Sequence, residues 1–314
     1  MTSRSDGGDA LSVEVPCRGP FDLELCLKAM HSFGGAAANA AAPPTAAAPQ
    51  RAVLRLGVRV DGRPAVIEAR QMSFEPPVVR VEARPRPQSA QKLRTLATRV
   101  LNADLNLGPF YKRAEAHPVL GPLTREFSGL KPFRPASLFD MLVTAVVEQQ
   151  ISLAAARKIR ERIVARFGDE ADGEPVFPAP ERVAAVPLDF LTECGLSRRK
   201  AEYIAGVAEE ITSGRLDLEA LERASDDEVR ARIVTIRGFG SWSAEYVLIR
   251  GLARADAVPV DDLAVRVVIG KLLGDGTRPS PARAAELLEP LAPFRGLAAF
   301  YLLVADRLGS TIRP

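Results

Sequence analysis

The sequence predicts an α+β domain followed by a larger all-α domain. Residues 11–83 contain four short stretches in which apolar and polar residues alternate, the signature of half-buried strands. From about Pro109 that alternation stops, and apolar residues recur at helical spacing instead. The length agrees: 314 residues, 47% of them hydrophobic, suit two domains on a prior of roughly 150 residues each. The expected organisation is a disordered tail over 1–10, an α+β domain over 11–108 with a flexible Ala/Pro-rich insert at 34–50, and an all-α domain over 109–314.

The elements follow in order. Leu11 to Val15 alternates and reads as a strand, and Phe21 to His31 suits a helix. Val53 to Val60 runs into Asp61-Gly62, the strong two-residue hairpin signal, and Ala65 to Ala69 returns. Val78 to Ala83 supplies another strand, and Leu93, Leu96, Val100 and Leu101 mark a helix within Ser89–Leu105. Ser137 is expected to cap a helix whose apolar face is Phe139, Leu142, Val143, Val146 and Val147. Ser152 opens another, Leu153 to Phe167, ending near Gly168. Residues 169–180, acidic and Pro-containing, read as a linker. Helices are then expected over 181–186, 188–193, 198–213 and 217–223. Ser225-Asp226-Asp227-Glu228 is a capping box for a helix ending at Thr235, and further helices cover 263–273 and 294–308.

Composition narrows the chemistry. No apolar run approaches the ~18 residues of a membrane span, and no signal peptide is expected. Cys17, Cys26 and Cys194 are few and far apart, with no CxxC pair, which argues against a cysteine-held zinc or iron–sulfur centre. His31 and His117 are the only histidines, so a histidine triad has little raw material. Carboxylates remain as the groups on which chemistry would rest. The formal charge is only +3, but residues 92–166 hold 13 Lys and Arg against 6 Asp and Glu. A local cationic excess is the footprint of a nucleic-acid binder, although solvated helix faces give the same count.

Two motifs sharpen this. Arg237-Gly238-Phe239-Gly240-Ser241-Trp242-Ser243-Ala244 lies between two helices. Gly-x-Gly alone marks a helix end and a turn. Here the glycines would also expose backbone N–H groups at the start of the next helix, a place for a phosphate. Some eighteen residues on, Asp261-Asp262 follows the apolar Ala257-Val258-Pro259-Val260. By themselves two acids there could simply cap the helix 263–273; Asp261 is expected either to be that cap or to support its neighbour Asp262 from behind.

Hairpin and acid together resemble the helix–hairpin–helix DNA glycosylase superfamily, and within it the DNA-3-methyladenine glycosylase II family. Gly238 to Tyr246 resembles the family's hairpin and following helix, and Glu148-Gln149-Gln150-Ile151-Ser152 its DNA-probing loop. Pro293-Phe294-Arg295 falls where the family places a second pocket aromatic, with Phe for the usual Trp. The resemblance implies a TBP-like antiparallel sheet at the N-terminus and an all-α glycosylase domain after it. Asp262 matches the catalytic aspartate. Trp242, Tyr246, Phe294 and Gln149 would line the base pocket, while Gln150, Arg237, Gly238, Phe239, Gly240, Ser241 and Ser243 would meet DNA. Trp242 also stands where strand-cutting relatives carry a Schiff-base lysine, which implies a monofunctional enzyme.

The function so implied is base excision repair: flipping out an alkylated purine, of the 3-methyladenine or 7-methylguanine type, and hydrolysing its N-glycosidic bond. The alternatives are a glycosylase for hypoxanthine, ethenoadenine or oxidised guanine, and a non-catalytic DNA-binding protein built on the same hairpin. The expected partner is double-stranded DNA carrying damaged bases, bound by a monomer in the cytoplasm at the nucleoid, without a membrane. No cofactor is expected; a monovalent cation at the hairpin is the one such ligand this reading admits.

Overall fold

A computed structural model describes residues 10–33 and 52–312; the tail and insert expected at 1–10 and 34–50 thus lie almost wholly outside the described residues. The chain opens with β1 (Leu11–Pro16), α1 (Leu23–Ser32), β2 (Val53–Val60), β3 (Arg63–Phe74) and β4 (Pro77–Arg84). These strands form one antiparallel sheet in the order β1-β4-β3-β2. The β2–β3 turn is the one expected: Asp61 and Gly62 both have positive φ, 55° and 73°, which is what a two-residue hairpin of the right twist requires. One face of the sheet buries Val15, Leu54, Ile67, Val79 and Val81 under α1 and α2 (Ala90–Val100).

Helices make up nearly all the rest: α3 (Gly108–Ala114), α4 (Leu120–Glu126), α5 (Leu138–Glu148) and α6 (Leu153–Phe167). A further group comprises α7 (Pro180–Ala184), α8 (Leu188–Glu193), α9 (Arg198–Thr212), α10 (Leu218–Arg223), α11 (Asp226–Val234) and α12 (Ser241–Tyr246), which runs on as a π-helical turn (Val247–Gly251). The chain closes with α13 (Leu263–Leu273), α14 (Pro281–Leu288) and α15 (Arg295–Leu308). The capping box forms as expected, Ser225 Oγ accepting from the Glu228 amide while the Glu228 carboxylate accepts from the Ser225 amide. Ser152 caps α6, whereas Ser137 makes no such side-chain bond at α5. Among the described residues no single helix is long and apolar enough to cross a membrane.

Two features depart from the sequence reading. Residues 169–180 are not a bare linker: β5 (Asp169–Ala171) and β6 (Glu174–Val176) form a hairpin turning at Asp172-Gly173, again with both φ positive. It lies on the outer face of β2 and β3, where Val66, Ala171 and Val176 form a small separate core. Arg55 on β2 pins it, donating to Glu174 and Asp172 as well as to Glu68 on its own sheet. The hydrophobic cores also do not divide at residue 108. The first core combines the sheet with α1 to α4 and with α13 to α15 at the far end of the chain. The second holds only residues 138–257. Tyr301 shows the reason: this buried residue of α15 donates to the Leu130 carbonyl (2.9 Å) and packs edge-on against Phe110 of α3.

Candidate active site

The hairpin between α11 and α12 is fixed from below. Gly238 has φ of 95°, and a Cβ there would lie 2.3 Å from the ring of Tyr203 on α9. Only glycine permits that approach. Tyr203 is itself held by Arg199, whose Nε donates to the phenol oxygen at 2.6 Å. Gly240 is the N-cap of α12, supplies no side-chain cap, and faces open space. The first N–H groups of α12 are thus presented outward at the positive end of a helix dipole. The α5–α6 loop is tied to the same hairpin: Gln149 Nε2 donates to the Gly238 carbonyl at 3.0 Å, and Lys200 donates to the carbonyls of Val147 and Gln149. Gln150, at the exposed tip, has φ of 58°, uncommon for a residue with a side chain.

The segment leading to the acids is pinned just as firmly. Glu245 on α12 accepts from the Val258 amide and is held by Arg230. Arg295 clamps Asp256 through two guanidinium bonds, and Gly296 passes so close that a Cβ would sit 2.5 Å from the Ala257 carbonyl oxygen. This places Asp262 as the N-cap of α13, its Oδ1 accepting from the amides of Ala264 (2.8 Å) and Val265 (3.1 Å). Asp262, not Asp261, is therefore the cap. Its other oxygen, Oδ2, accepts from Trp242 Nε1 at 3.2 Å.

Asp262 and Trp242 line a cavity of about 610 Å³ that lies between the two cores. Trp242 stacks on Tyr246 with ring centres 4.8 Å apart and planes 15° apart. The Tyr246 hydroxyl donates to Glu148 at the end of α5, and burial pushes the phenol well above its usual pKa. The cavity thus holds two carboxylates joined through a stacked aromatic pair. Arg250, one turn beyond Tyr246, sets its guanidinium over the Tyr246 ring at 5.4 Å. The remaining walls are mainly apolar.

Of the residues expected in the pocket, Asp262, Trp242 and Tyr246 come together, whereas Gln149 and Phe294 do not line the cavity. Gln149 turns to the hairpin as described. Phe294 precedes α15 and packs against Phe110, ring centres 6.0 Å apart. From α15 the cavity is lined by Gly296, Leu297, Ala299, Phe300, Leu303 and Arg307, and Phe294 is not among them. Phe300 supplies the aromatic wall instead. Among the residues expected to meet DNA, Gln150, Arg237, Gly240 and Ser241 are exposed. Phe239 and Ser243 are buried, so neither side chain is presented to a ligand; Phe239 belongs to the second core because a tight turn must anchor its apolar residue inward. Glu148 and Arg250 were not singled out as pocket residues, although Arg250 lies four residues after Tyr246 on one helical turn.

The basic segment also reads differently in three dimensions. Arg99 and Arg134 face Glu222, Arg160 pairs with Asp140, and Arg166 with Glu193. Lys131 is buried, its Nζ donating to the carbonyls of Arg18 and Ala103. Much of that local excess is spent on the fold.

Comparison with known proteins agrees with this geometry. Residues 143–293 match the sequence model of the HhH-GPD superfamily base excision DNA repair proteins. The DNA-3-methyladenine glycosylase of Bacillus subtilis (strain 168) is 35% identical over 203 residues, which span 63% of this chain and 67% of that protein. DNA-3-methyladenine glycosylase 1 of Schizosaccharomyces pombe is 32% identical over 177 residues, 56% of this chain and 75% of that one. Among solved structures, the 3-methyladenine DNA glycosylase from Archaeoglobus fulgidus superposes with a TM-score of 0.79 at 27% identity, covering 96% of this chain and all of that one. The Schizosaccharomyces pombe 3-methyladenine DNA glycosylase bound to abasic DNA superposes over 62% of this chain and 95% of that one, with a TM-score of 0.55 at 29% identity. The chain belongs to the HhH-GPD superfamily of base excision DNA repair proteins.

Proposed function

We propose that this protein is a monofunctional DNA glycosylase that releases alkylated purines, of the 3-methyladenine and 7-methylguanine type, from duplex DNA. The observation that carries the reading is Asp262, an acid lining the cavity whose Oδ2, not used in capping α13, accepts from the Trp242 of a stacked Trp–Tyr pair. The N-terminal sheet and its helices are read as a TBP-like half-repeat. The protein acts as a monomer on DNA, and the outward N–H groups at the start of α12 receive a backbone phosphate.

A base inside a duplex cannot reach Asp262, so the nucleotide must first turn out of the stack, at a cost of a few kcal/mol. Gln150, at the exposed tip of the α5–α6 loop with its positive φ, would enter the gap left behind. Alkylation of a purine at N3 or N7 makes the base cationic. Stacking such a base on the Trp242–Tyr246 face contributes about 0.5–2 kcal/mol. The cationic base is already a good leaving group, and the electron pair of the breaking N-glycosidic bond neutralises it. Positive charge then develops on the sugar, and the Asp262 carboxylate stabilises it. Water adds to C1′ and gives its proton to Asp262 and then to solvent.

Strand cleavage through a Schiff base would need a free amine in the cavity. Lys131 borders it, and burial lowers its pKa, but its amine is already bound by two carbonyls. The test is base release from duplexes that each carry 3-methyladenine, 7-methylguanine, hypoxanthine, ethenoadenine or 8-oxoguanine. The two cationic bases are expected to leave fastest, with the abasic strand uncut until alkali is added. Faster release of 8-oxoguanine, or strand cutting without alkali, contradicts the reading.

A further inference from the structure

One helix supports both of the loops that face DNA in the reading above. On α9, Tyr203 lies under Gly238 of the hairpin and is held by Arg199. The next residue, Lys200, serves the other loop: its Nζ donates to the Val147 carbonyl at 2.9 Å and to the Gln149 carbonyl at 2.7 Å. These carbonyls close α5, where a helix leaves acceptors without an intrahelical partner and its dipole favours a cation. Among the described residues Lys200 makes no ion pair, so its charge is committed to this helix end. The two loops are also joined directly. Gln149 Nε2 donates to the Gly238 carbonyl at 3.0 Å and to Ser243 Oγ, buried in the first turn of α12, at 3.4 Å.

The Gln149 carbonyl belongs to the peptide plane that leads into Gln150. By holding it, Lys200 fixes the rotation that gives Gln150 its φ of 58°, a value uncommon for a residue with a side chain. Gln150 follows Gln149 directly, and Gly240 is two residues past Gly238. The offset between the outward N–H groups of α12 and the Gln150 backbone is therefore set by one hydrogen bond and one rigid helix of 15 residues. We propose that Lys200 is a positioning residue for base flipping: through the Gln149 peptide it keeps Gln150 in register with the hairpin, so that seating a backbone phosphate at the start of α12 carries Gln150 into the base stack. The inference rests on the glycosylase reading above and makes α9 the common platform of the two loops.

Flipping costs most when the lesion is paired and least when it has no partner. A residue that acts through Gln150 matters in the first case and little in the second, whereas one that only supports the fold or the cavity matters equally in both. The experiment measures single-turnover release of 7-methylguanine placed opposite cytosine and placed opposite an abasic site. A 2-aminopurine beside the cytosine-paired lesion reports flipping without chemistry, because it brightens as its neighbour leaves the stack. Lys200→Met keeps the apolar stem and removes the ammonium, and Gln149→Ala removes the tie to the hairpin. Each is expected to slow release opposite cytosine, and the rise of the 2-aminopurine signal, roughly tenfold. Release opposite the abasic site, which also certifies the fold, is expected to stay within about threefold. Duplex affinity at matched salt is expected to stay within about twofold, because the hairpin keeps its phosphate contacts. Equal slowing on both duplexes, or release opposite cytosine at the wild-type rate, overturns the positioning role and leaves the glycosylase reading intact. A 2-aminopurine signal present in wild type and lost in both variants, with no base released from either duplex, supports the positioning role and overturns the glycosylase reading.

Discussion

Asp262 divides its two oxygens between structure and chemistry. Oδ1 caps α13 and Oδ2 faces the cavity through Trp242. The two roles separate by substitution. Asp262→Asn keeps a capping oxygen, and asparagine caps helices about as well as aspartate, so thermal stability should stay within about 0.5 kcal/mol of wild type. Asp262→Ala removes the cap and should cost about 1 kcal/mol, measured by chemical denaturation. Equal destabilisation by both variants contradicts the split. At this scale the sequence was only partly informative. The grouping of a carboxylate with Trp242 and Tyr246 was legible only through the family resemblance that the hairpin and the Asp261-Asp262 doublet carry. The orientations of Gln149, Phe239, Ser243 and Phe294 were not, because whether a side chain turns to the core or to the cavity depends on partners distant in sequence, here Gly238, the second core and Phe110.

At the scale of elements, the hairpin between α11 and α12 shows how a backbone can present a binding surface. Gly238 is needed by its φ and by the Tyr203 ring, but Gly240 is free of steric demand. Gly240→Asp should therefore leave the fold intact, since aspartate is a favourable N-cap, yet set a negative charge where a phosphate is expected. Affinity for duplex DNA should fall about tenfold whatever the sequence, at matched salt, and Gly240→Asn should lose much less. Unchanged affinity in the aspartate variant speaks against phosphate binding there. Turn chemistry also explains what could be read of the elements. Asp61-Gly62 announced β2–β3 because long alternating strands flank it. Asp172-Gly173 makes the same turn, but strands of three residues each are too short to show alternation, and the stretch reads as a linker.

Across the whole molecule, the chain returns to its starting domain. Helices α13 to α15 complete the core that the N-terminal sheet begins, and the cavity opens where that core meets residues 138–257. Periodicity gave the class of each half correctly, but closure of the first core by residues 265–305 is a long-range pairing that no local pattern carries. A fragment of residues 109–314 should accordingly lack a cooperative thermal transition, because Phe110, Tyr301 and Leu302 lose the sheet side of their core. A sharp transition near that of the full chain contradicts this. The same convergence is what gives Asp262 its setting, with its helix seated in one core and its Trp242 partner in the other. The most direct test of that arrangement is single-turnover release of 7-methylguanine from duplex DNA by wild type and Asp262→Asn, alongside binding of each to abasic-site DNA. The account predicts at least a roughly hundredfold loss of release in the variant with abasic-DNA affinity nearly unchanged; base release by Asp262→Asn at the wild-type rate would contradict it.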